Sequence, residues 1–130
     1  SVASRGLGDV YKRQLTTLAL LFTKHWYVDF VNQTMEEVRG KGIYGNWQGI
    51  KHSLKHGLGT LAVFLLAGAG LSYALLLASL DTVSHYHIDW TKMNYGNKDI
   101  TNPLYWNHLG LDQLAHYLVY LSLIYVYLEM

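Results

Sequence analysis

The chain has no cysteine and a single proline, Pro103. The first absence removes disulfides, thiolate metal ligands and cysteine nucleophiles together. The second leaves the apolar segments without an internal helix breaker. Charge of one sign is also lacking: ten basic against nine acidic side chains give a formal net charge of +1. No bulk electrostatic preference for nucleic acid follows from that balance. No glycine-rich phosphate loop after a strand, no GxSxG elbow, no HExxH motif and no basic-aromatic groove is present. There is no repeat of 20–50 residues and no low-complexity tract. At 130 residues the chain is one domain, and with 51% apolar residues it can build a core.

The first fourteen residues, SVASRGLGDVYKRQ, show no helical apolar period and do not form a signal peptide. They resemble translated adapter read-through in assembled environmental sequences. Residues 1–14 are therefore expected to be a non-native or disordered leader to a single domain over 15–130, and Arg5, Lys12 and Arg13 carry no topological information.

Four apolar segments follow, near Leu15–Gln33, Gly49–Ala67, Leu71–Lys92 and Leu109–Met130. Each approaches the length of about 20 residues that a helix needs to cross a bilayer. Gly68-Ala69-Gly70 joins the second and third so tightly that they must be antiparallel neighbours. The runs Leu58–Leu66 and Leu71–Leu80 are uncharged and apolar nearly all round, whereas a soluble surface helix carries a polar stripe. Trp26, Trp47, Trp90 and Trp106 lie toward one end of the four segments, as an interfacial aromatic belt would. Arg39, Lys41, Lys51, Lys55, Lys92 and Lys98 share that side. The expectation is an all-α, four-helix up-down transmembrane bundle with both polar loops in the cytoplasm.

Against this apolar background stand four ionisable pairs spaced i, i+4: His25/Asp29, His52/His56, His85/Asp89 and Asp112/His116. That spacing puts both members of a pair on one helical face. Up-down topology lets their depths be compared from the shared loop end. His25 is eight residues before Gln33, His56 seven after Gly49, His85 seven before Lys92 and His116 seven after Leu109. Four histidines thus occupy one layer, with Asp29, His52, Asp89 and Asp112 in a second layer one turn nearer the loops. Imidazole and carboxylate converging from four helices form the donor set of a divalent metal site: zinc, manganese or iron(II). Some carboxylates, Asp29, Asp89 and Asp112 among them, can instead orient a ligating imidazole. Asp81 lies one turn deeper and extends the face to Asp-x3-His-x3-Asp. It is either a ligand for a second metal or a general base.

Other polar residues have blander readings. His87 is rotated about 200° from His85 and points elsewhere. His108 is placed in a loop ahead of the last helix. Lys51 and Lys55 snorkel to headgroups or hold a substrate phosphate. Gln33 and Gln113 are polar supports near the site mouth, and Tyr117, Tyr120, Tyr125 and Tyr127 are packing and interface residues.

The runs KHWYVDFVNQT (Lys24–Thr34) and SHYHIDWTK (Ser84–Lys92), the His52/His56 pair and LDQLAHYL (Leu111–Leu118) together resemble domain of unknown function family 3307. The resemblance covers about Leu15 onward and rests on the ordered series His-x3-Asp, His, His-x3-Asp and Asp-Gln-x2-His. It implies a small integral membrane protein of a bacterial inner membrane or of phage origin, without an assigned activity. A looser similarity is to membrane-bound metal-dependent hydrolases, through the Ser-His-x3-Asp element Ser84, His85 and Asp89; their His-Arg-Gly-Phe-Thr-His-Ser signature is absent.

The functional expectation is an intramembrane His/Asp divalent-metal site near the cytoplasmic face. Its metal ligands are His25, Asp29, His52, His56, His85, Asp89, Asp112 and His116, and Asp81 or Asp89 accepts a proton in hydrolysis of a lipid-linked or headgroup phosphate ester. The alternatives are a non-enzymatic metal or ion carrier, a phage-encoded factor acting on a host membrane, and a haem-binding bundle.

Overall fold

A computed structural model describes residues 2–129, all of whose regular structure is helical. The long helices are α1 (Val2–Trp26), α3 (Trp47–Leu66), α4 (Leu71–Tyr95) and α5 (Pro103–Glu129); α2 (Met35–Gly40) is a short helix in the first connection. Helix α1 continues into a π-helical turn, Tyr27–Val31, closed by Asn32 N–H donating to the Tyr27 carbonyl at 2.8 Å.

The boundaries differ from expectation in physically readable ways. Helix α1 runs back to Val2, through most of the segment expected to be a leader; Ser1 and Met130 lie outside the described residues. Helix α5 starts at Pro103, six residues earlier than the apolar pattern suggests, because a proline suits the first helical position and the Asn102 side chain accepts from Leu104 N–H at 2.9 Å. His108 is therefore in the second turn of α5 and not in a loop, and its Nδ1 accepts from the Asn97 backbone N–H at 2.8 Å. Helix α2 interrupts what reads as a polar loop. Thr34 caps it by accepting from Glu37 N–H at 3.2 Å, and Asn46 caps α3 in the same way toward Gln48 N–H.

Each long helix neighbours two others: α3 lies beside α1 and α4, and α5 beside α4 and α1, leaving the α1/α4 and α3/α5 pairs on the diagonals. Two glycines make this closeness possible. Gly68, at φ +92°, ends α3 with Ala69 N–H bonded to the Phe64 carbonyl at 3.0 Å, so the chain reverses into α4 within three residues. Gly57 faces α4, where an added Cβ would collide with the Thr82 hydroxyl and sit 3.3 Å from the Ala78 carbonyl.

The interior divides in two. Near the Gly68–Gly70 hairpin it is an apolar cluster of Leu21, Val63, Phe64, Ala74, Leu77, Tyr120, Leu123 and Ile124. Toward the loops it is almost wholly ionisable. Among the described residues, ten buried hydrophobic side chains stand against fourteen buried polar or charged ones, so the usual distribution is inverted. The outer faces of α3, α4 and α5 carry exposed Leu58, Leu66, Leu76, Leu80, Leu118 and Leu121. By length and composition one helix, Pro103–Glu129, is long and apolar enough to cross a membrane.

Candidate metal centre

All eight residues of the four pairs are buried, and the structure brings them together. Asp29 is at the middle. Its Oδ1 is 2.9 Å from His52 Nε2, 2.7 Å from His56 Nε2 and 3.7 Å from His85 Nε2, and its Oδ2 is 3.2 Å from His25 Nε2. Asp89 is the second focus, with Oδ2 3.0 Å from His85 Nε2 and Oδ1 3.2 Å from His116 Nε2. The expected histidine layer is present as a chain of rings: His56 stacks on His85 at 3.5 Å and His85 on His116 at 4.1 Å, with His25 5.0 Å from His116.

The fit to a metal can be tested on spacing. Donors around a tetrahedral ion with bonds of about 2.1 Å lie about 3.4 Å apart. Asp29, His52, His56 and His85 offer four atoms all within 4.8 Å of one another, and His85, Asp89 and His116 form a second set. These buried groups can hold a metal ion. Both ring nitrogens of His85 lack a hydrogen-bond partner despite full burial, and Asp89 Oδ2, 3.0 Å from His85 Nε2, is ion-paired with Lys41 but accepts no hydrogen bond. Buried polar atoms are rarely left so unless something else is meant to engage them.

Charge compensation singles out one residue. Asp81 pairs with Lys24 at 3.1 Å, Asp89 with Lys41 at 3.2 Å, Asp112 with Lys92 at 3.4 Å, and Glu37 with Lys55. Among the described residues Asp29 alone of these buried carboxylates has imidazoles and no lysine beside it. A buried carboxylate needs positive charge close by. A divalent ion held by the surrounding imidazoles would supply it, in place of protons on their nitrogens.

His25 and Asp112 sit at the edge of this constellation. His25 donates through Nε2 to Gln113 Oε1 at 2.7 Å and pairs through Nδ1 with the Tyr120 hydroxyl at 2.8 Å. Asp112 Oδ1 is 3.5 Å from His116 Nε2, while its Oδ2 takes Lys92 and the Gln113 amide. Asp81 is one turn deeper, as expected, but its Oδ2 is occupied by Lys24 and the Thr60 hydroxyl. Lys24 also reaches His56 Nδ1 at 3.1 Å and Tyr120 at 2.9 Å, and so ties the carboxylate to the ring cluster. Gln33 supports the mouth by donating to the Asp29 carbonyl at 2.9 Å. His87 does point outward, against Tyr44.

Several side chains of the centre escape the sequence pattern. Glu37 of α2 is fully buried, with Oε2 3.0 Å from His52 Nδ1, so it orients that ring as a carboxylate behind a ligating histidine does. Burial alone would raise the Glu37 pKa, but hydrogen bonds from Lys55 and His52 outweigh it and hold the group below the usual carboxylate range. Lys41 is buried against Asp89 and is not a surface charge. Lys55 binds Glu37 and Asn32, and Lys51 lies 3.8 Å from Glu37, so both ammonium groups stand beside the site's wall. Tyr120, read as packing, is fully buried and joins His25 to Lys24. A signal existed for Glu37: Thr34-x-x-Glu37 is a capping-box pattern that marks a helix start, although here the glutamate turns inward to His52. Lys24, Lys41 and Tyr120 had no local signal, since their roles exist only across helices.

No curated protein and no solved structure matches the chain at a significant level. The model of one family, described as a protein of unknown function (DUF3307), matches residues 17–130 and so spans all eight paired residues, Glu37, Lys24 and Lys41; the chain belongs to that family.

Proposed function

We propose that this chain is a membrane-embedded helical bundle whose loop-side core binds a divalent metal through Asp29, His52, His56 and His85, with Asp89 and His116 completing an adjoining set through His85. The observation that carries the reading is the lysine-free Asp29 ringed by four imidazoles. Membrane residence is supported by the inverted distribution of polarity: ionisable groups inside, leucine outside, and Trp26, Trp47 and Trp106 exposed at the loop end.

Hydrolysis is the chemistry this arrangement serves best. A bound divalent ion lowers the pKa of water into the neutral range. Asp89, whose Oδ2 stands 3.0 Å from His85 Nε2 and is ion-paired with Lys41 at 3.2 Å, would take the proton as the water oxygen bonds to the ester centre and return it to the leaving alkoxide. Asp81, neutralised by Lys24, serves as that lysine's counter-charge in this scheme. A carrier is disfavoured because the Leu21, Phe64, Leu77 and Leu123 cluster closes the hairpin half of the interior. Haem is disfavoured because imidazoles stacked at 3.5 and 4.1 Å leave no space for a macrocycle between them.

Elemental analysis of protein purified in detergent tests the reading. Wild type should retain a stoichiometric divalent metal and His85→Ala should lose it, with helical content unchanged. Equal metal content in the two proteins would remove the claim.

A further inference from the structure

One cavity connects the metal centre to the loop-side surface. It has a volume of about 390 Å³ and runs between the π-helical turn, α2, α4 and the start of α5. Asp29 is its only acidic lining residue, while Lys41, Lys92 and Lys98 supply three ammonium groups and Gln33 and Gln113 supply amides. The partners of Lys41 and Lys92, Asp89 and Asp112, do not line it, and Lys98 has no carboxylate within ion-pair distance among the described residues. A passage with this balance favours an anion close to the metal position. Gln33 Oε1, buried and without a hydrogen-bond partner, adds an acceptor for a hydroxyl next to that anion.

A second groove, of about 490 Å³, adjoins the first along α4 and α5. The two share Lys92 and His108. Ile88, Leu111 and Ala115 make much of the groove apolar, with Asp112 beside its partner Lys92, and at Ile88 and Ala115 it meets a further groove lined by Leu80, Leu118 and Val126. A basic cavity at the metal centre and an apolar groove meeting at Lys92 match an amphiphile with an anionic head and a hydrocarbon tail.

We propose that these two spaces bind a phosphate-bearing lipid, with the phosphate among Lys41, Lys92 and Lys98 beside Asp29 and an acyl or prenyl chain between α4 and α5. This assignment rests on the metal-centre reading, for which it names the substrate class.

The test uses full-length protein in mixed micelles, with phosphatidic acid, phosphatidylcholine, glycerol phosphate and inorganic phosphate as probes, on metal-loaded and chelator-treated samples. Phosphatidic acid should bind the loaded protein more tightly than phosphatidylcholine or glycerol phosphate. The double variant Lys92→Gln/Lys98→Gln should weaken it about tenfold or more while retaining metal. Ala115→Trp, which fills the groove, should weaken phosphatidic acid and leave inorganic phosphate unaffected. Equal affinity for phosphatidic acid and phosphatidylcholine in metal-loaded protein overturns this proposal and leaves the metal reading intact. Glycerol phosphate binding as tightly as the lipid assigns the cavity to soluble phosphates and overturns the lipid assignment. Loss of metal in the lysine variant makes those lysines part of the metal scaffold and also overturns it. Lysine-dependent phosphatidic acid binding by a wild type that never retains metal supports the cavity and overturns the metal reading alone.

Discussion

Glu37 offers the sharpest test of how the metal centre is built, because it lies outside every helix that the apolar pattern identifies. Its Oε2 meets His52 Nδ1 at 3.0 Å, which leaves His52 Nε2 directed at Asp29. A carboxylate behind a ligating imidazole fixes the ring and raises its basicity, and its loss costs about 10–100-fold in metal affinity, or about 1.4–2.7 kcal/mol. Glu37→Gln keeps the shape and one acceptor and loses only the charge, so the lower end of that range, about tenfold, is expected. Glu37→Leu removes the acceptor as well and leaves a buried ring nitrogen unpaired, so the upper end, about a hundredfold, is expected. Lys55→Gln is the control. Its ammonium is partly exposed and touches Glu37 on the other oxygen, and such pairs are worth about 1 kcal/mol or less. Competition between the purified protein and chelators of graded affinity reads all three constants. Wild-type affinity in Glu37→Leu, or an equal loss in Lys55→Gln, would refute the assignment of Glu37 as the group that orients His52.

Three further outcomes follow from the packing. Asp81→Asn leaves Lys24 buried without its counter-charge and should destabilise the fold by about 3–5 kcal/mol, whereas Lys24→Met/Asp81→Leu should recover much of that loss; denaturant titration of both variants checks it. If Asp81 is only the counter-charge of Lys24, the double variant keeps its metal, and metal loss there would make Asp81 part of the centre. Gly57→Ala should push α3 from α4 at Thr82 and separate His56 from His85, lowering metal content more than Gly110→Ala, whose added methyl meets nothing within 4 Å. Phe64→Ala opens a cavity in the apolar half and should cost about 3–5 kcal/mol in stability while sparing metal affinity, because the two halves of the core are separate.

The sequence alone located the pairs. Helical spacing on apolar segments sufficed to place His25, His56, His85 and His116 at one depth, because an up-down bundle gives the four helices a shared loop end and each residue advances about 1.5 Å along its axis. Their stacked rings agree with that count. The Gly68–Gly70 reversal and the outward direction of His87 were equally local, set by glycine's access to positive φ and by 100° per residue. What surrounds the pairs was not local. The inward turn of Glu37 depends on α2 lying against α3, and the burial of Lys41 depends on Asp89 waiting across the bundle. The π-helical turn that carries Asp29 has no pattern in the apolar period, yet it sets where the central carboxylate points. Above all, the pairing of Lys24, Lys41, Lys55 and Lys92 with Asp81, Asp89, Glu37 and Asp112, which leaves Asp29 to the histidines, is decided only in three dimensions. Composition gives a count of opposite charges, but which of them meet is a matter of distance, and the Coulomb and desolvation terms that make a buried ion tolerable depend on distance and burial.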